Sequence, residues 1–291
     1  MNKKIYFLIS FIILCLIFNL NAQKKTGKKA TFNWGAGGPQ YVQYLTITGK
    51  TGFITTPTAY CAPMGTLAFG WELTASTRAP YGVMAIVNKI TFTPHHIFEF
   101  GFSKALGFAD TPSPYFYFDS TPFFGHMKLR FLDWGDGALA FGLDVDIVPD
   151  NSGGPSRGYM SITPYIVFTG ITTIIGSFNF GFGKTFYFTR IPDAYLNFFV
   201  SYVYSFAKLD HRLQLVFDIS NADYQAGDDN FKIATEYRAY VNFQVRGVVV
   251  KTPRFQWTMA LTLYDIFDLP GTVLAINLNA GFSMNFHIDL Y

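Results

Sequence analysis

Charge is scarce in this sequence. Only 14% of its 291 residues are Asp, Glu, Lys or Arg, against roughly 25% in an ordinary soluble domain. A chain this poor in charge cannot cover a water-facing surface unless much of that surface faces lipid. Cysteine is nearly missing as well. Of the two in the chain, Cys15 lies in an N-terminal apolar run, and Leu14 stands before it where a lipoprotein needs a small residue. Cys61 is then the single thiol of a processed chain, which excludes an internal disulfide. A lone thiol is more often a small packed residue than a nucleophile. Beyond residue 22 no apolar run reaches the ~20 residues of a membrane helix. A basic surplus is also lacking. The formal net charge is +3, and Lys3, Lys4 and the tail lysines Lys24, Lys25, Lys28 and Lys29 more than account for it, so nothing points to nucleic acid.

Residues 1–22 have the form of a secretory signal. Lys3 and Lys4 make a positive start, Ile5 to Phe18 an apolar stretch, and Leu20-Asn21-Ala22 a cleavage site before Gln23. Secretion and low charge together narrow the class to an envelope protein.

What the chain has instead is aromatic side chains, 33 Phe and 18 Tyr, set in period-two alternation. Leu67, Phe69, Trp71 and Leu73 alternate with Ala68, Gly70, Glu72 and Thr74. Met127, Leu129 and Phe131 alternate with His126, Lys128 and Arg130. Leu139, Phe141, Leu143, Val145 and Ile147 alternate with Ala140, Gly142, Asp144 and Asp146, and Phe178, Phe180 and Phe182 with Asn179, Gly181 and Gly183. Alternation of this period marks strands. A bulky apolar face opposite one of glycine, alanine, serine, asparagine and charge suits a barrel with lipid outside and a polar lumen inside. Only closed sheets can cross a bilayer, because an open edge would leave backbone groups unpaired in hydrocarbon.

The spacing predicts strands near 66–77, 84–93, 96–104, 123–132, 138–148, 159–169, 174–186, 195–206, 211–220, 231–250, 255–264 and 273–291. Connections alternate between short and long along the chain, as do the periplasmic turns and extracellular loops of outer-membrane barrels. The expectation is an all-β, transmembrane, antiparallel up-and-down β-barrel of about twelve strands in a Gram-negative outer membrane, with both termini periplasmic. Residues 231–250 are read as one strand, because odd-numbered apolar residues continue from Phe231 to Val249 without a break in phase. The last strand is well marked, although the terminal Tyr291 falls out of phase with Leu274 to Leu290. Three regions follow: a signal at 1–22, a polar tail with a Gly/Pro-rich lead-in at 23–65 that is a candidate plug, and the barrel at 66–291.

Candidate lumen-facing charged residues are Glu72, Glu99, His126, Lys128, Arg130, Asp144, Asp146, Arg212, Asp218, Lys232, Glu236 and Arg238. Opposite charges on neighbouring strands can pair and hold the barrel closed, or rings of charge can face a water column and select solutes. A largely filled or gated lumen is the favoured reading of the two.

Catalytic patterns are weak. Gly154-Pro155-Ser156-Arg157-Gly158 matches G-x-S-x-G, but that motif works at a strand-to-helix turn and this one lies in a Gly/Pro/Ser/Asn-rich loop between strands. Gly49-Lys50-Thr51 lacks the earlier glycine of a phosphate-binding loop and reads as a turn. His95 and His96 are adjacent in a short turn and read as solvated turn residues; in a strand their side chains would diverge, and a metal site would need a third ligand that the sequence does not place. No enzyme, cofactor or metal is expected. The loop Thr111–Phe124 is the most aromatic connection. It reads as part of an outer aromatic girdle, with stacking faces for sugar rings as the other reading.

One segment breaks the alternation. Residues 51–72, TGFITTPTAYCAPMGTLAFGWE, resemble the opening motif of the YjbH-like outer-membrane proteins, through Gly52, Ile54, Pro57, Thr58, Ala59, Pro63, Gly65, Thr66 and Leu67. The resemblance covers this stretch alone, and members of that family are often longer. It implies a non-enzymatic barrel engaged in export or assembly of exopolysaccharide or another surface polymer. Outer-membrane lipid, the barrel assembly machinery, polysaccharide and periplasmic export components would be its partners. A general or solute-specific porin-type channel is the alternative. Pro57 and Pro63 remove backbone donors and Gly52 and Gly65 permit turns. On those grounds alone the segment cannot continue a sheet, and it crosses the periplasmic mouth or folds into the lumen.

Overall fold

A computed structural model of the protein describes residues 44–46, 48–50, 52–76, 83–109, 115–117, 123–134, 137–148, 159–172, 176–188, 196–209, 211–221, 240–264, 266 and 279–290. The strands are β1 (Thr66–Ser76), β2 (Val83–His95), β3 (Phe98–Ala109), β4 (Tyr115–Tyr117), β5 (Phe123–Asp133), β6 (Gly137–Val148), β7 (Tyr159–Thr172), β8 (Gly176–Lys184), β9 (Phe186–Tyr187), β10 (Leu196–Ser205), β11 (Leu213–Ser220), β12 (Tyr240–Lys251), β13 (Phe255–Leu263) and β14 (Asn279–Asp289). β4 and β9 have three and two residues and lie against β3 and β7. The other twelve are the staves.

Every pairing is antiparallel, and the sheet closes on itself. β1 pairs with β2 from Thr66↔Thr93 to Ser76↔Val83, and with β14 from Thr66↔Asp289 to Ser76↔Asn279. β2 pairs on to β3, and the ladder runs neighbour to neighbour through β5, β6, β7, β8, β10, β11, β12 and β13 back to β14. No free edge is left in the ring, the condition for crossing hydrocarbon.

The twelve staves match the strands expected from the sequence to within a few residues at most boundaries. β3 runs on to Ala109, and a short β4 follows within the stretch expected to be loop. In place of a strand over 231–250 the structure describes β12 from Tyr240, so the first half of that expectation lies outside the described residues, as does the start of the one at 273–291. β12 pairs with β11 on one side and β13 on the other, so residues 240–251 are one stave and no hairpin divides them.

Alternation sorts the side chains. Phe100, Phe102, Met127, Phe178, Phe180, Phe182, Leu196 and Leu261 stand outward, between 41% and 63% exposed. Cross-strand stacking knits this face, as between Phe69 and Phe286 with ring centroids 5.1 Å apart. A contiguous apolar belt of this kind would drive aggregation in water and is at home in lipid. The inward face carries Ser103, Thr169, Asn179, Ser201, Gln214, Asn242, Gln244, Gln256, Thr258 and Ser283, all buried. The strand ends at His95, Asp133, Thr172, Ser205 and Lys251 gather at one end of the barrel, where β1 begins and β14 ends. The strand ends at Ser76, Ala109, Val148, Lys184, Ser220 and Leu263 lie at the other.

Candidate functional site: the filled lumen

Buried polar groups need partners, and the partners of this lumen come largely from the segment before β1. Tyr44, Leu45, Thr46, Phe53, Ile54, Thr55, Thr56, Thr58 and Ala59 are at most 2% exposed, so the lead-in occupies the barrel interior. Two of its glycines show why the chain can do this. A Cβ on Gly52 would meet the Thr56 carbonyl oxygen at 2.3 Å, because Gly52 and Pro57 form a bridge closing a tight loop. Gly65 sits at φ +81°, in the left-handed region, where the chain turns from the lumen into β1.

Apolar contacts seat the plug at two places. Phe53 and Ile54 pack with Val87, Ala105, Val203, Val216 and Tyr264, and Ala59 and Tyr60 with Ala138, Ala140, Tyr165, Val167 and Phe199. Polar contacts fix its register. Asp218 on β11 accepts from the Thr55 amide at 3.0 Å, the Thr55 hydroxyl at 2.6 Å and the Thr56 amide at 3.0 Å. Asn242 donates to the same carboxylate at 3.1 Å. The Thr56 and Ser201 hydroxyls lie 2.6 Å apart. The Ala59 amide donates to Thr169 at 2.7 Å, and Asn179 donates to the Pro57 carbonyl at 3.1 Å. On the other side Ser103 donates to the Thr48 carbonyl at 3.1 Å, and Tyr44 hydrogen-bonds with Ser283 and Gln244.

Cations complete the fit. Arg246 donates from Nε to Gln214 at 2.7 Å, and its guanidinium lies 5.1 Å from the Tyr44 ring centroid and 5.6 Å from that of Phe53. Such cation–π contacts gain strength when desolvated. Lys128 donates to the Tyr60 carbonyl at 2.8 Å, and Lys50 of the plug pairs with Asp144 on β6. Burial, and after it the Glu72 carboxylate, push the Tyr44 phenol above its usual range. Cys61 is 1% exposed, and burial, then Glu99, push its thiol up to about 12. At neutral pH that thiol is protonated and inert.

The predicted lumen residues divide into groups. Glu72 pairs with Lys89 from β1 to β2, and Glu99 with Lys128 at 3.0 Å from β3 to β5. Arg130 is buried and reaches Asp133 at 2.8 Å. His126, Asp144 and Asp218 face the interior, and Asp146, half-buried, accepts from Ser161 at 3.1 Å. Arg212 is a correction. It is exposed in the turn before β11, because the strand begins only at Leu213. Lys232, Glu236 and Arg238 lie outside the described residues, as do the G-x-S-x-G stretch and most of the aromatic loop. Of the motif residues, Gly52, Ile54, Pro57, Thr58 and Ala59 sit in the plug, Pro63 and Gly65 make the turn, and Thr66 and Leu67 open β1.

His95 and His96 stand at the turn from β2 to β3, where the sequence reading has them. Their rings lie 4.0 Å apart, since the pairing of β2 with β3 slips between Phe92 and His95 and the chain turns there. Burial, then the neighbouring His95, hold His96 below its usual value. Among the described residues no group of three His, Cys, Asp or Glu is placed to hold a metal ion.

Four interior cations and imidazoles were not singled out from sequence: Lys50, Lys89, Arg246 and His287. Arg246 was findable, since it shares its phase with Asn242 and Gln244. Lys89 was masked by Val87 inside and Asn88 outside, which blur the alternation of β2. Lys50 carried no signal, because nothing in a Gly-Lys-Thr turn announces a partner on β6.

No protein-family model matches the chain, and no curated protein does. Solved structures similar to it include a KdgM porin, with 8% identity over 77% of this chain and 99% of that one and a TM-score of 0.44. Outer membrane phospholipase A from Escherichia coli is similar at 10% identity, over 79% and 98% of the two chains, with a TM-score of 0.37. OccK11 from Pseudomonas aeruginosa is similar at 11% identity, over 77% and 71%, with a TM-score of 0.31. At these identities and TM-scores the likenesses carry no argument about activity, solute or mechanism. The barrel rests on its own strand pairing.

Proposed function

We propose that the protein is a gated, porin-type channel of the outer membrane, closed by its own N-terminal segment and passing small polar solutes when that segment withdraws. One observation carries the reading. Outside the two apolar seats of Phe53, Ile54, Ala59 and Tyr60, the wall behind the plug is lined by polar side chains such as Ser103, Asn179, Ser201, Gln214, Gln244 and Ser283, so removing the plug leaves a lumen that water can wet. A barrel used only as a membrane anchor has no need of that lining. Larger plugged barrels use the same arrangement of an internal domain in a polar lumen. By the usual geometry of such barrels, the short turns and the plug's point of entry face the periplasm and the longer connections face outward.

The planar-bilayer conductance of the full-length protein tests this. The wild type should be silent or flicker rarely, and Asp218→Ala should show steady, salt-dependent steps. A silent Asp218→Ala protein that still migrates as a folded barrel contradicts the reading.

Polymer export has only the resemblance of residues 52–67 behind it. Loss of surface polysaccharide on deletion of the gene, in cells whose Asp218→Ala protein does not conduct, would favour it. The proposal is non-enzymatic, and release of fatty acid from phospholipid by the detergent-solubilised protein would overturn that part.

A further inference from the structure

Between the plug and the wall of β5, β6 and β7 lies a small cavity lined by Lys50, His126, Asp144, Asp146, Thr163 and Tyr165 among others. It sits toward the end of the barrel where β5 and β7 begin and β6 ends. Asp144 faces His126 across the β5–β6 ladder and Thr163 across the β6–β7 ladder, and Asp146 follows two residues on along the same face. Lys50 places its ammonium on the Asp144 carboxylate and 5.3 Å from the centroid of the Tyr165 ring.

We infer that this cavity is a recognition site for a solute bearing a primary ammonium group, and that Lys50 of the plug occupies it in the closed state. The arrangement around Lys50 is what an ammonium ligand would seek, a carboxylate on one side and an aromatic face on the other. Two further features point to a donor-rich ligand. His126 is 6% exposed and neither of its ring nitrogens has a hydrogen-bond partner, so at least one acceptor there waits for a donor. The Asp144 Oδ1 atom is also buried without a partner. The carboxylates of Asp144 and Asp146 in its lining disfavour anionic solutes.

The consequence is competition. A solute that takes Asp144 displaces Lys50, the plug's one ion pair with the wall among the described residues, and so loosens the closed state. Thus far the inference rests on the gated-channel reading, but binding itself does not. It can be read without flux.

Calorimetry on the full-length protein in detergent micelles, with n-butylammonium chloride, sodium acetate and glucose as probes, tests the site. Butylammonium should bind, and glucose and acetate should not. Asp144→Asn should weaken binding about tenfold, the loss of one charge-assisted contact. Lys50→Met should strengthen it by a similar factor, about tenfold, because the resident ammonium is gone. A purely structural ion pair predicts no such gain. The inference is overturned if butylammonium binds neither the wild type nor Lys50→Met while both migrate as folded barrels, or if Lys50→Met leaves the affinity unchanged, or if glucose or acetate binds in its place. Binding without conductance would sink the gated channel and spare the site. Conductance in Asp218→Ala without binding would do the reverse.

Discussion

The two sides of the lumen handle their polar groups differently. Along β1, β2, β3 and β5, charges are matched stave to stave: Glu72 with Lys89, Glu99 with Lys128. Each ammonium then has donors left over, and these reach plug carbonyls, Lys128 that of Tyr60 and Lys89 that of Leu45. Around β6 to β11 the wall is incomplete by itself. Asp144 takes its cation from the plug, and Asp218, with no cation on it among the described residues, is completed by plug amides and a plug hydroxyl. On the first side the charges find their counter-ions within the wall itself. The second is a receptor for the plug, and its carboxylates are stable in the interior only while something donates to them.

The sharpest way to break this comparison is to swap the expected consequences. Glu99→Gln leaves Lys128 a buried charge without its carboxylate, at a cost of about 3–5 kcal/mol to the barrel. It should lower the temperature at which the folded band disappears on a denaturing gel, with little effect on conductance. Asp218→Ala should do the opposite. Losing the acceptor for two backbone amides costs the plugged state about 3 kcal/mol, a shift of roughly 150-fold toward the open state, while the barrel's heat-modifiable transition stays near that of the wild type. If both variants lowered the transition equally and neither conducted, the division into closing pairs and plug receptors would be wrong.

A smaller effect comes from Cys61. Its pKa is raised to about 12 in the plugged state, from a model-peptide value of 9.0. A raised value means that its contribution to the plugged state is fully present below pH ~9 and is lost as pH climbs toward 12. Alkylation of Cys61 by a maleimide at pH 7 should therefore be slow in the wild type and fast in Asp218→Ala. Cys61→Ala should flatten part of the rise in conductance expected above pH ~9.

The staves were legible because lipid on one face and polar neighbours on the other impose period two on nearly every strand, as in Met127–Arg130 and Phe178–Gly183. The phase also placed Glu72, Glu99, Lys128 and Asp218 inside. It failed where both faces carry mixed residues, at Lys89, and where a strand begins later than its pattern suggests, at Arg212. The plug's contacts were not legible at all. Gly52, Pro57 and Pro63 say that the segment leaves the sheet, but the meeting of Lys50 with Asp144, or of Thr55 with Asp218, depends on a path through the lumen that no local pattern encodes.

The central claim is that residues 44–62 close the lumen by docking on the wall, and a reversible tether tests it most directly. Thr56 and Ser201 have hydroxyls 2.6 Å apart, so Thr56→Cys with Ser201→Cys, in a protein that also carries Asp218→Ala and Cys61→Ala, should allow a disulfide between plug and wall. Single-channel recording should then show a silent protein when oxidised and conducting steps once dithiothreitol is added. Equal conductance before and after reduction, with the disulfide confirmed by mass, would contradict the account.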